Sequence, residues 1–222
     1  MVALLNHPRA ALVFDFDGVI LDSASLKREA FAALYDDYPD VQREAIRAYL
    51  GRRGGQPREV KFRHIESHIL GRDVRAADID ALCARFKAVV AERIRVAPAI
   101  PGAIEFLSRW HGRLPLYLLS ATPGHELREI VEQRDLARYF EAVIGAPPDK
   151  VTGMRNLLER YRHPAAHTVM IGDSYNDYRT ARGNGTRFVG VCADPSASPF
   201  PDDVATIRNL RRLEAALARL SP

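Results

Sequence analysis

The feature that most restricts what this chain can fold into is a repeated alternation of two patterns. A short apolar run, bounded by Gly or a small polar residue, is followed each time by a stretch with helical spacing. The runs are ALVFDF (residues 11–16), LPLYLLS ending at Ser120, residues 142–144, HTVMIG ending at Gly172, and residues 187–191. Apolar runs this short read as strands buried on both faces. Helical spacing follows over residues 102–110, 124–134, 151–161 and 175–181. Strand then helix, repeated, implies a parallel sheet with right-handed crossovers, so the expected class is α/β with a Rossmann-like parallel-sheet core.

Residues 23–97 interrupt the alternation. SASLKREAFAALY, VQREAIRAYL, PREVKFRHIESHIL and AADIDALCARFKAVVAERI all carry helical spacing, separated by YPD, GRRGGQP and GRDVR. The expected division is therefore a core from residues 1–22 and 98–222, with a helical module inserted at 23–97. Residues 202–222 read as a short strand and one amphipathic helix that closes the core. There are no internal repeats or low-complexity tracts.

Several function classes are excluded or disfavoured at this point. No apolar stretch approaches the ~18 residues of a membrane span, and MVALLNHPRA lacks the charged start, apolar stretch and cleavage site of a signal peptide. Cys83 and Cys192 are far apart and outside any metal-ligand spacing, so two buried free thiols in a reducing, cytoplasmic setting are expected. The net charge of +4 comes entirely from residues 23–97, which hold 15 basic and 11 acidic residues against 17 of each elsewhere. Nucleic-acid binding needs a denser basic stripe, and an anionic small substrate needs much less.

The chemistry-bearing residues stand at the strand ends. In Asp15-Phe16-Asp17-Gly18, strand alternation puts Asp15 and Asp17 on one side, at the end of a parallel strand where open α/β sheets bind ligands. In Gly172-Asp173-Ser174-Tyr175-Asn176-Asp177, Asp173 leaves a second strand and Asp177 follows about one helical turn later. If these strands are neighbours, several carboxylates converge, and their repulsion is costly unless a cation or a shared proton relieves it. An oxygen-only set suits Mg²⁺. The run Ser120-Ala121-Thr122-Pro123 supplies a hydroxyl and backbone N–H groups at a helix start, a setting for phosphoryl oxygens. Lys150 is the only lysine after residue 87, and its point charge can reach a phosphate and an acidic cluster together.

With these motifs in order, DFDGVILDS, LLSATP, Lys150 and GDSYND, the chain resembles the haloacid dehalogenase superfamily on its phosphatase-like branch with a helical cap. The resemblance implies Asp15 as nucleophile and Asp17 as general acid and base. It implies Ser120 and Lys150 as phosphoryl holders, joined by Ala121 and Thr122. Asp15, the backbone carbonyl of Asp17, and Asp173 would be ligands of Mg²⁺, with Asp177 in support. The substrate would be a small phosphorylated metabolite, and residues 23–97 the cap. No motif sets an oligomeric state.

Within the cap, residues 47–63 carry six basic residues and one acid. Arg58, Lys61 and Arg52 are the expected selectors of the leaving group, against the alternative of a basic solvated helix. Ser23 reads as a helix N-cap. His64 and His68 are spaced i, i+4 but lack a third ligand, and Gly54-Gly55 is too short to argue for a phosphate cradle. The alternatives are a phosphosugar mutase of the same family, a phosphonate hydrolase using Lys27 or Lys61 as a Schiff base, and a non-catalytic phosphoryl-ligand-binding protein.

Overall fold

The computed structural model describes residues 7–220. The expectation for the N-terminal segment therefore lies outside the described residues over 1–6. Among the described residues no helix is long and apolar enough to cross a membrane.

Six parallel strands form one sheet in the order β3-β2-β1-β4-β5-β6. They are β1 (Ala11–Phe14), β2 (Leu116–Pro123), β3 (Ala142–Ala146), β4 (Thr168–Gly172), β5 (Arg187–Val191) and the short β6 (Thr206–Ile207). The central strands β1 and β4 are buried at every position, which is why they read as unbroken apolar runs rather than alternating ones. The helices α5 (Ala103–Trp110), α6 (Gly124–Gln133), α7 (Lys150–Tyr161), α8 (Tyr175–Asn184) and α9 (Leu213–Arg219) complete this part of the chain. Alternate β1 residues enter opposite clusters. Leu12 and Phe14 join one that includes Phe106 and Leu107 of α5 and Leu213 of α9, and Ala11 and Val13 join the other with Met154 and Leu157 of α7. The expected parallel sheet is thus present, and its strand order reverses between β1 and β4, where a ligand crevice opens.

The interval between β1 and α5 is helical: α1 (Ala24–Ala33), α2 (Asp40–Arg52), α3 (Arg58–His64) and α4 (Ala76–Val96). A π-helical turn, Ile65–Ile69, continues α3. Phe31, Phe62 and Phe86 join α1, α3 and α4, with ring centroids 4.1–6.1 Å apart. The chain leaves and re-enters the sheet side by side: the Asp22 N–H donates to the Pro98 carbonyl at 2.8 Å and the Ile100 N–H to the Ile20 carbonyl at 2.9 Å.

Three local expectations are corrected. β2 does not stop at Ser120 but runs to Pro123 with a register irregularity after Leu119, because β3 continues to pair alongside it. Lys150 is the first residue of α7 rather than its predecessor, since Asp149 is the N-cap and accepts from the Val151 and Thr152 N–H groups. Cys83 and Cys192 are free but only half-buried.

Phe14 is fully buried and packs edge-on against Phe106 and Phe140. Phe14→Ala should cost about 3–5 kcal/mol, read in urea as a lower midpoint at unchanged slope.

Candidate active site

The acidic ends of β1 and β4 are adjacent because those strands pair. The Asp15 N–H donates to the Ile171 carbonyl at 2.9 Å, carrying the pairing one residue beyond β1. The chain then turns at Gly18, whose φ is +80°. A Cβ there would stand 2.3 Å from Asp173 Oδ2, so only glycine allows the β1 turn and Asp173 to approach this closely. Asp177 is the third residue of α8, where it forms a capping box with Ser174: Oδ2 accepts from the Ser174 N–H at 3.1 Å and from its hydroxyl at 2.6 Å.

Carboxylate oxygens of Asp15, Asp173 and Asp177 lie within 4.8 Å of one another. Lys150 Nζ sits among them, 2.7 Å from Asp15 Oδ1 and 2.5 Å from Asp177 Oδ1. Burial alone would depress this ammonium, but Asp15 and Asp177 outweigh burial and raise it above its ordinary value. One cation does not balance three carboxylates. Burial, reinforced by Asp177 and Asp17, pushes Asp15 up to about 7 even against Lys150. Burial and the charges of Asp15 and Asp177 carry Asp173 well above the usual carboxylate range. Crowded oxygen donors short of positive charge, with no His or Cys in the group, fit a hard divalent cation.

Asp17 is held apart from that trio. Its Oδ2 accepts from Lys27 Nζ at 2.5 Å and from the Thr122 hydroxyl at 3.3 Å, and its Oδ1 accepts from the Ser23 hydroxyl at 2.6 Å. Burial pushes this carboxyl up, but Lys27 and Ser23 more than offset it and hold it below the usual range. Thr122 Oγ1 also accepts from Lys27 at 2.9 Å and from Ser120 at 3.2 Å, while Ser120 Oγ accepts from the Thr122 N–H at 3.1 Å. Every donor and acceptor in this chain of hydroxyls is used consistently.

One cavity of about 80 Å³ joins these groups. Asp15, Asp17, Ser120, Ala121, Thr122, Lys150 and Asp173 all line it, whereas Asp177 lies behind Lys150. From the helical insertion come Arg58 and Lys61, as expected, but not Arg52. That residue is exposed at the end of α2 and does not reach the cavity, because the chain turns away through Arg53 before Gly54 and Gly55 enter the wall. Arg58 is not free, since its guanidinium pairs with Glu126 of α6. Ser23 precedes α1 but makes no side-chain cap, having given its hydroxyl to Asp17. His64 stacks between Tyr49 and His68, and its ring carries no metal-binding set.

Sequence reasoning missed three participants. Lys27 is read from the sequence only as a Schiff-base alternative, although a lysine in the first turn of the helix that follows a DxD motif was a usable signal. Glu126 carried no signal, being one of many helix-start acids. Gly54-Gly55 was set aside, yet the Gly55 carbonyl accepts from Asn176 Nδ2 at 2.7 Å, and a Cβ on Gly55 would meet Ser174 Oγ at 2.4 Å. Gly18→Ala should lower stability by about 1–3 kcal/mol, measured by urea titration, because it combines a disfavoured φ with a collision at Asp173.

The fold is shared with solved structures. A structure described as a predicted phosphatase from Clostridium acetobutylicum superimposes with a TM-score of 0.73 at 18% identity, over 96% of this chain and 99% of the other. Among curated proteins, the phosphoglycolate phosphatase of Vibrio parahaemolyticus is 28% identical over 210 residues, 87% of this chain and 90% of its own. The 5'-nucleotidase of Pseudomonas aeruginosa is 30% identical over 199 residues, 85% of this chain and 84% of its own. The family model for haloacid dehalogenase-like hydrolases matches residues 10–185, which include every acidic residue of the site. The chain belongs to the haloacid dehalogenase-like hydrolase family.

Proposed function

We propose that this hydrolase is a Mg²⁺-dependent phosphatase that cleaves a small phosphomonoester through a phosphoaspartate at Asp15. The observation that carries the reading is the convergence of Asp15, Asp17, Ser120, Lys150 and Asp173 on one cavity at the point where the strand order reverses. The curated relatives differ in the substrate their names give but agree on phosphate-ester hydrolysis.

Lys150 holds Asp15 Oδ1, leaving the second carboxylate oxygen without a hydrogen-bond partner in the described structure. That oxygen attacks phosphorus as the P–O bond to the leaving group breaks, and Asp17, having taken a proton from the entering phosphomonoester monoanion, passes it to the departing oxygen. Water then attacks the phosphoaspartate, Asp17 takes the proton, and inorganic phosphate leaves with Asp15 restored. Held by Lys27, Asp17 stands in the carboxylate form, the form that accepts a proton in the second half. Ser120, the backbone N–H of Ala121, and Lys150 hold the phosphoryl oxygens, while the Thr122 N–H positions the Ser120 hydroxyl. Asp15, the Asp17 backbone carbonyl and Asp173, with Asp177 in support, would hold Mg²⁺, which would supply the positive charge that lets an anionic nucleophile meet an anionic phosphate.

In the same reading, residues 23–97 are a cap over a core of residues 1–22 and 98–222. The cap excludes water when closed and admits substrate when open. Arg58–Glu126 and Gly55–Asn176 are contacts across that boundary.

Asp15→Asn should abolish both phosphate release and acid-stable labelling of the protein by phosphate. Retained turnover would remove the nucleophile. Asp17→Asn should lower kcat/KM on an alkyl phosphate by ~10²–10⁴ and by less on p-nitrophenyl phosphate, whose leaving group needs no proton. Chelation should stop turnover and added Mg²⁺ restore it.

A further inference from the structure

The helical insertion is tied to the sheet-bearing part of the chain at two separate places. Beside the chain linkers, Arg134 at the end of α6 donates to the carbonyls of Ile94 and Arg95 at 3.5 and 2.6 Å, at the C-terminal end of α4 where a cation is favoured. With the main-chain pairs Asp22–Pro98 and Ile20–Ile100, this fixes the end at which the insertion is attached. At the cavity, the ties are Arg58 to Glu126 and the Gly55 carbonyl to Asn176. Glu126 follows β2 and Asn176 follows β4, so these two ties flank β1.

Asn176 is committed at both ends of its carboxamide. Its Oδ1 accepts from Arg179 at 3.2 Å, and its Nδ2 donates to the Gly55 carbonyl at 2.7 Å. A guanidinium only donates, so Arg179 keeps the amide oxygen on its own side and turns the NH2 group toward Gly55. The loop is shaped to receive it. Gly55 has a φ of +69°, and a Cβ there would stand 2.4 Å from Ser174 Oγ and 3.3 Å from Asn176 Cβ. A Cβ on Gly54 would stand 3.1 Å from Ser174 Cβ. Two glycines thus let the loop lie directly on the first turn of α8, the turn that also holds Asp177. Three residues further on, α3 begins at Arg58. Asn176 lies outside the cavity lining, so it acts on the site through where it holds this loop.

We propose, resting on the phosphatase reading above, that Asn176 is a positioning residue that registers the Gly54-Gly55 loop on α8. By doing so it sets the fraction of molecules whose insertion is seated over the acidic strand ends. Arg179 orients the carboxamide for that contact.

The test uses the full chain. Arg53 is exposed and directly precedes Gly54, and trypsin cleaves that bond only when the loop has left α8, so the rate of cleavage there tracks the unseated population. In Asn176→Ala this cleavage, measured by mass spectrometry against cleavage elsewhere in the chain, should be faster by about threefold to tenfold, the worth of one neutral hydrogen bond. On p-nitrophenyl phosphate with Mg²⁺, KM should rise by a similar factor while kcat stays within about twofold, because saturating substrate restores the seated form. Arg179→Met should move both readouts the same way by less, and the double variant should match Asn176→Ala, whereas two independent contacts would multiply. Gly55→Ala tests the contact from the insertion's side, and its collision with Ser174 should also speed cleavage after Arg53, even where Asn176→Ala does not fold. Unchanged cleavage in these variants overturns the assignment, and so does faster cleavage in Asn176→Ala at unchanged KM, which leaves a merely structural contact. Absence of phosphate release by the wild-type protein overturns the phosphatase reading instead, while the cleavage rates still decide whether Asn176 seats the loop.

Discussion

Confinement of like charges is the constraint around which this structure is arranged. Asp15, Asp173 and Asp177 are brought within 4.8 Å of one another, and Lys150 is the cation placed directly among them. Removing a charge partner from a buried cluster costs far more than an exposed pair ever contributes. The surrounding backbone is correspondingly fixed. Asp149 caps α7 and so sets where Lys150 begins, Ser174 locks Asp177 into the first turn of α8, and Gly18 leaves room for Asp173. Each of these local devices would be unremarked alone. Together they hold three crowded carboxylates and one lysine in a fixed arrangement at the strand ends.

Asp17 shows how one motif yields two electrostatic roles. It stands two residues from Asp15, yet its carboxylate faces Lys27, Ser23 and Thr122 rather than the acidic trio. The same burial that drives Asp15 upward is offset at Asp17 by a lysine and hydroxyls. Two neighbouring carboxyls are thereby pushed apart in proton affinity, the condition under which acid–base and nucleophilic duties separate. The partners that do this come from the start of α1 and from the end of β2, so this difference in proton affinity depends on the helical insertion being seated against the sheet.

Much of the architecture was legible in the amino-acid order because it rests on local physics. The strands β1 and β4 are buried on both faces and therefore appear as unbroken apolar runs, and the inserted helices carry their own spacing. The acidic, hydroxyl and lysine positions at strand ends could be named in advance because parallel topology brings those ends to one edge. The errors share a different cause. Ser23 had the look of a helix cap, and nothing in its neighbours in the chain indicated that Asp17 would claim its hydroxyl. Arg52 and Arg58 were equivalent as text, but one ends exposed on α2 and the other meets Glu126, 68 residues away. Lys27 and Gly55 acquired meaning only from what faces them.

The sequence by itself determined the strand and helix identities, the interruption after the first strand, and which residue types stand at the strand ends. These follow from side-chain periodicity and backbone preference within a few turns of chain. Only the tertiary structure decided which cations are neutralised, because an ion pair across the fold is a matter of distance between segments remote in the chain. It also set the size of the cavity, since that volume is whatever the inserted helices and the strand ends leave between them.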